Sequence, residues 1–225
     1  PAIQKNQDDL DKTSNFGTLD IISALNWTKS NIDKFGGDSN NITIFGESAG
    51  GHNVLSLIVS PQASGLFNKA IVQSGYTTSI SPESAYKQTN ISNTSNYTSS
   101  KLVNYLLKST SQKLDDESLR NLLKSSKASD IFKFYISSDS NQDIPLLTSD
   151  GIVIPEIGLK QALGKKEYIN NVPMILGSNK DEVKLWLGTA DYFVDIEYSL
   201  IGEFLNIPKV VLSDKNAFEA FNYYR

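Results

Sequence analysis

The stretch Asn41-Ile42-Thr43-Ile44-Phe45-Gly46-Glu47-Ser48-Ala49-Gly50-Gly51 decides how this chain is read. Residues 41–45 form a short apolar run rich in β-branched side chains, bounded by the polar turn Asp38-Ser39-Asn40 and by Gly46, which predicts a buried strand. From Gly50 to Ser60 the spacing of Val54, Leu57 and Ile58 is helical, and Pro61 stops it. Between the two lies Gly46-Glu47-Ser48-Ala49-Gly50, a G-x-S-x-G segment in a strand-to-helix context. A serine on so tight a turn needs a strained backbone, and flanking glycines remove side chains that would collide there. The turn lifts the Ser48 hydroxyl off the sheet and aims the Ala49 N–H, at the head of the helix, toward the point where an oxyanion develops in acyl transfer. Taken alone, the same five residues also describe a serine that caps the following helix.

Outward from this stretch, Ile21, Leu25, Thr28, Ile32 and Phe35 recur at three and four residues until Gly36-Gly37, which predicts an amphipathic helix. Lys69-Ala70-Ile71-Val72-Gln73 reads as a second strand closed by Ser74-Gly75, and Asn171 to Gly177 as a further buried strand. Helix, strand, helix, strand implies a parallel sheet with crossovers. Residues 77–100 shift to Ser, Thr and Asn and predict a surface excursion, followed by short amphipathic helices at 102–107 and 119–123 and a last helix at 217–224. Asn26, Asn41, Asn90, Asn93 and Asn96 each satisfy N-x-[ST], a triplet that so Asn-, Ser- and Thr-rich a chain produces by chance.

Composition narrows the function classes. The 225 residues are 39% hydrophobic, enough for a full core. There is no cysteine, which excludes disulfides, thiolate metal sites and cysteine nucleophiles and leaves the compartment open. A net charge of −4, with arginine only at Arg120 and Arg225, argues against a nucleic-acid partner. Apolar runs such as 54–59 are too short to span a bilayer. One histidine without cysteine leaves only carboxylates as further metal ligands, none at calcium-loop spacing, so no metal and no cofactor are expected.

The wider pattern resembles the type-B carboxylesterase and cholinesterase family. It runs through Asn15-Phe16-Gly17, Leu19-Asp20, Ala24-Leu25-Asn26-Trp27, Phe35-Gly36-Gly37-Asp38, Ile44 to Gly51, Ser60-Pro61, Gly65-Leu66-Phe67 and Gln73-Ser74-Gly75. It resumes at Asp150-Gly151, Ile154-Pro155 and Val172-Pro173 through Glu182. The resemblance implies an α/β fold of the α/β-hydrolase type, a mostly parallel sheet with helices on both faces, incomplete in this chain. It implies that residues 1–225 are part of a single such domain, with 77–146 as a variable helical and loop excursion. It also implies hydrolysis of a small-molecule carboxylic ester through a Ser-Glu-His triad, with Ser48 as nucleophile, Glu182 as acid and Ala49 N–H in the oxyanion hole. On charge alone Asp181 and Glu182 read as acids in a first helical turn; the resemblance favours Glu182 as triad acid, with adjacent Asp181 as runner-up.

The base is not found among these residues. The single histidine, His52, sits on the helix that Ser48 precedes, so it reads as a packed, hydrogen-bonded core residue. In the family the catalytic histidine follows the acid at a distance that falls past Arg225, and the second oxyanion donor comes from an upstream glycine-rich loop, whereas residues 1–13 hold no glycine. The chain therefore reads as an internal piece of a longer esterase, unable to turn over esters alone. Glu47, beside the nucleophile, reads either as a group that tunes the local field or as a buried hydrogen-bond partner with a structural role. Leu185, Trp186 and Leu187 read as core before pocket. The alternative function is a non-catalytic adhesion or binding protein on the same scaffold, where the nucleophile is typically lost; retention of Ser48 argues against it. Amide or lactone hydrolysis stays open, because fold and triad do not set the substrate. Oligomeric state is not legible.

Overall fold

A computed structural model describes residue 8, residues 10–86, 99–107, 114–136 and 146–182, and the backbone of 194–197 and 209–212. It divides into two compact units, Pro1–Leu176 and Gly177–Arg225.

In the first unit, α1 (Phe16–Asn31) continues into a 3-10 turn, Ile32–Phe35, and stops at Gly36. Gly36 takes φ +83, and the N–H of Gly37 returns to Ile32 O at 3.1 Å, so the glycine closes the helix in the left-handed conformation that side chains resist. Then follow β1 (Thr43–Glu47), α2 (Ala49–Val59) and β2 (Lys69–Gln73). Strands β1 and β2 are parallel, Ile44 opposite Ala70 and Gly46 opposite Val72, and β3 (Met174–Gly177) lies beyond β2. Short helices α3 (Pro82–Tyr86), α4 (Ser99–Leu106), α5 (Asp116–Ser125), α6 (Ala128–Ile136) and α7 (Leu159–Leu163) fill the connections. In the second unit, β4 (Val194–Glu197) and β5 (Lys209–Leu212) pair antiparallel. No helix among the described residues is long and apolar enough to cross a membrane.

The core forms around α2. Val54, Leu55, Leu57, Ile58 and Val59 are all buried, so this helix is apolar around much of its circumference, as a helix enclosed on several sides must be. It meets Ile44, Ala70 and Val72 from the sheet, and Val153, Ile154, Leu159 and Ala162 from the later segment. Ser56 returns its hydroxyl to His52 O at 2.8 Å, which makes a polar side chain tolerable there.

Three expectations are corrected. The strand expected at 41–45 begins and ends two residues later, because Gly46 pairs within the ladder rather than ending it. Of the strands expected to be buried, β1 has one covered face and β3 has none. Ile44 is buried but Phe45 is 74% exposed, and Ile175 and Leu176 are exposed on β3. Alternate strand residues face opposite sides, and α2 lies on the side of Ile44, Ala70 and Val72. Glu47, expected to be buried, is exposed at the end of β1.

The helices expected at 102–107 and 119–123 start three residues earlier, as α4 and α5. The α5 start is explained by Asp115, whose carboxylate accepts the Ser118 N–H at 2.8 Å; the Ser118 hydroxyl and then this N–H hold the carboxyl below its usual range. Of the excursion over 77–146, residues 87–98, 108–113 and 137–145 lie outside the described residues, as do Leu185 to Leu187 and the helix at 217–224.

Two segments remote in sequence meet at the start of α1. Asn15 donates Nδ2–H to Thr148 O at 2.8 Å and to Asp150 Oδ2 at 3.0 Å, while its Oδ1 accepts the Thr148 N–H at 2.9 Å. Thr13 also donates to Asp150, and the other Asp150 oxygen accepts three successive backbone N–H groups, those of Ile152, Val153 and Ile154. This carboxylate satisfies donors that a buried turn would otherwise orphan, and it seats the fully buried Val153 and Ile154 in the core.

Candidate active site

Ser48 stands between β1 and α2 with φ +53 and ψ −114. A non-glycine residue at positive φ is strained, and such strain persists only where the surroundings hold it. Here they do. The Ser48 N–H donates to Gln73 O, the last residue of β2, at 2.9 Å, and the Ser48 carbonyl accepts the His52 N–H at 2.9 Å, the first bond of the helix. Strand β1 thus feeds its terminal residue straight into α2 through one sharply turned peptide.

The turn is possible because Gly46 lacks a side chain. A Cβ there would lie 2.4 Å from the Gly50 carbonyl carbon and oxygen, a clash with backbone that has nowhere to move. Gly50 behaves differently: nothing lies within 4 Å of its would-be Cβ, so the expectation that both flanking glycines relieve collisions holds only for the first. Ala49 is the first residue of α2, and the N–H groups of a first turn have no partner within their own helix. The helix N-terminus therefore presents positive potential beside Ser48, suited to developing negative charge.

His52 is 8% exposed. Its Nδ1–H donates to Tyr76 O at 2.7 Å, and its ring stacks on the Tyr76 ring with centroids 4.3 Å apart and planes 11° from parallel. Burial pushes its pKa below the ordinary 6.5, against the bond to Tyr76, which opposes that shift. This is the packed, hydrogen-bonded histidine expected from its place on the helix.

Glu182 belongs to the second unit, half-buried at the start of a helical turn. Its Oε2 accepts the Asn179 N–H at 2.8 Å, and its own N–H reaches back to Asn179 O at 3.4 Å. The carboxylate thus reaches back to a backbone N–H three residues earlier, the half of a capping box that the N3 side chain supplies. Asp181 is exposed beside it.

Sequence reasoning missed Gly51, Gly75 and Tyr76 as parts of the elbow's frame. A Cβ on Gly51 would meet Gly75 Cα at 2.8 Å and Gln73 O at 2.9 Å, so α2 and the exit of β2 pack backbone on backbone. The pairing of Gly50-Gly51 with Gln73-Ser74-Gly75 carried the signal, but the parallel register was needed to read it. A groove of about 710 Å³, lined in part by Val59, Pro61, Glu156 and Tyr168, lies at the C-terminal end of α2, a helix length of roughly 15 Å from Ser48. None of its lining residues borders the elbow.

Residues 6–209 match the profile of the carboxylesterase family. Carboxylesterase 1E of Rattus norvegicus is 39% identical over 176 residues, which cover 75% of this chain and 30% of that protein. Carboxylesterase 1F of Mus musculus is 34% identical over 195 residues, 83% of this chain and 33% of that protein. This chain therefore spans about a third of the length of the curated relatives it matches. Among solved structures, a PNB esterase superposes with a TM-score of 0.63 at 29% identity, over 83% of this chain and 36% of its own. A carboxylesterase of Geobacillus stearothermophilus gives a TM-score of 0.58 at 33% identity, over 76% of this chain and 33% of its own.

Proposed function

The chain belongs to the carboxylesterase family, and from that premise we propose that it carries the nucleophile and the acid of a serine ester hydrolase acting through an acyl-enzyme. The observation that carries the reading is the backbone of Ser48, held at φ +53 between a strand end and a helix start. A serine that merely capped α2 would accept a hydrogen bond from the first turn in an extended conformation, and Ser48 makes no such side-chain bond.

In this reading the Ser48 hydroxyl attacks the acyl carbon of the ester while its proton passes to an imidazole. The carbonyl oxygen becomes an oxyanion that the Ala49 N–H stabilises. Collapse expels the alcohol, which takes the proton from the imidazolium, and water then attacks the acyl-serine to release the acid. Glu182 orients the imidazole and stabilises its cation. The base is a histidine beyond these 225 residues, since the His52 ring is buried and stacked on Tyr76, and its one side-chain hydrogen bond among the described residues goes to Tyr76 O rather than to the Ser48 hydroxyl. Residues 1–225 are then part of one α/β-hydrolase domain, with 77–146 its variable excursion.

Kinetics of the complete protein on p-nitrophenyl butyrate test the roles. Ser48→Ala is expected to lower kcat on the order of a million-fold, and Glu182→Gln on the order of ten-thousand-fold at similar KM. Asp181→Asn is expected to do far less. The reverse ranking of the two acids would assign the acid to Asp181. Full turnover by Ser48→Ala would remove the nucleophile, and with it the mechanism.

A further inference from the structure

The segment leaving β2 runs beside the first turn of α2 contact for contact. Gln73 O accepts the Ser48 N–H at 2.9 Å, and a Cβ on Gly51 would press against that same oxygen and against Gly75 Cα. One residue further along each segment, His52 donates Nδ1–H to Tyr76 O at 2.7 Å and lays its ring on that of Tyr76, which is 41% exposed. His52 also holds the other side of the elbow, because its backbone N–H takes the Ser48 carbonyl at 2.9 Å.

The strained φ of Ser48 would relax if α2 could slide or rotate by a fraction of a turn against the sheet. Glycine contacts prevent approach but do not prevent separation. A directed hydrogen bond with a stacked ring does, and the His52–Tyr76 pair is where the structure supplies both. We propose that His52 is a positioning residue for the nucleophile: its Nδ1–H bond to the Tyr76 carbonyl and its stack on the Tyr76 ring lock the first turn of α2 to the exit of β2, which fixes the aim of the Ser48 hydroxyl and the Ala49 N–H. The role rests on the reading of Ser48 as nucleophile. His52 itself touches neither substrate nor proton in transit.

The donor distinguishes this role from simple packing. Asparagine places its amide nitrogen where Nδ1 lies, glutamine places it where Nε2 lies, and phenylalanine keeps a stacked ring without a donor. In the complete protein, His52→Asn is expected to keep kcat within about threefold of wild type, whereas His52→Gln and His52→Phe lose about tenfold in kcat with KM little changed, the scale of one lost hydrogen bond expressed in the transition state. Wild-type kcat in His52→Phe, equal losses in His52→Asn and His52→Phe, or a rise in KM at constant kcat would each overturn the proposal. A readout that needs no activity accompanies the kinetics: nitrogen-15 spectra of the imidazole, assigned by its disappearance in His52→Asn, should show Nδ1 protonated and Nε2 unprotonated at pH 7.5. An Nε2-protonated tautomer would overturn the clamp whether or not the enzyme turns over. Full activity in Ser48→Ala would instead sink the nucleophile reading and leave the tautomer result standing on its own.

Discussion

Gly46 and Gly50 flank Ser48 at equal distance in the sequence, yet the space around them differs. Gly46 faces the backbone of Gly50 at 2.4 Å, while Gly50 has open space where its Cβ would be. Gly46→Ala is therefore expected to destroy the elbow and unfold or inactivate the protein. Gly50→Ala is expected to leave the unfolding free energy unchanged or raised by about 0.5–1 kcal/mol, since alanine is the better helix former; urea melts of both variants check the asymmetry. His52 adds a pH dependence. Its folded pKa lies below the ordinary 6.5 because burial disfavours the cation, so the unfolded chain binds a proton first as pH falls. The stability it contributes is fully present above pH 6.5 and is lost as pH falls from there through the folded value. Between pH 7.5 and pH 5 the wild type should lose more stability than His52→Asn, which keeps the donor and does not titrate; equal losses would contradict this. At this scale the sequence was informative about Ser48, because glycine spacing is a local signal. It was silent on Tyr76 and on the Gly51–Gly75 contact, because these pairs are 24 residues apart and meet only through the β1–β2 register.

At the scale of elements, α1, α2 and β2 were legible because each carries a pattern of its own length and a stop: Gly36, Pro61 and Ser74-Gly75. The burial of strands was not. A run such as Ile42 to Phe45 looks the same whether one or both faces of its sheet are covered, and the exposure of Phe45 follows from where α2 packs rather than from the run. Helix α7 escaped notice because five residues cannot establish a helical period, although Leu159 and Ala162 are fully buried. Helix α2 joins both of these, the covered sheet face and α7. Ile58 is fully buried there, and Ile58→Ala should cost about 2–5 kcal/mol in chemical denaturation, with the spread set by how far the surroundings collapse into the cavity. A cost below about 1 kcal/mol would mean that this helix is not the centre of the core.

At the scale of the molecule, the chain's far-separated matches to the family are brought together by side chains. Asn15 and Asp150 meet directly, 135 residues apart, and the Asp150 carboxylate carries three backbone N–H groups besides. Asp150→Ala should lower the unfolding free energy by more than about 2 kcal/mol, because buried donors lose their acceptor, and Asp150→Asn should recover part of it by keeping one oxygen. Equal stability of all three proteins in urea would reduce the network to decoration. The family resemblance located both residues in the sequence, but neither composition nor periodicity told of their bond, since loop residues carry no period. The placement of Glu182 at the start of a helical turn is legible as a first-turn acid, whereas its proposed duty toward a histidine is not local at all. The most direct test of the central reading is covalent. A fluorophosphonate probe reacted with the complete folded protein, followed by peptide mass spectrometry, should place one adduct on Ser48 and none in Ser48→Ala. An adduct on another residue of an active enzyme, or unmodified Ser48 after full inactivation, would contradict it.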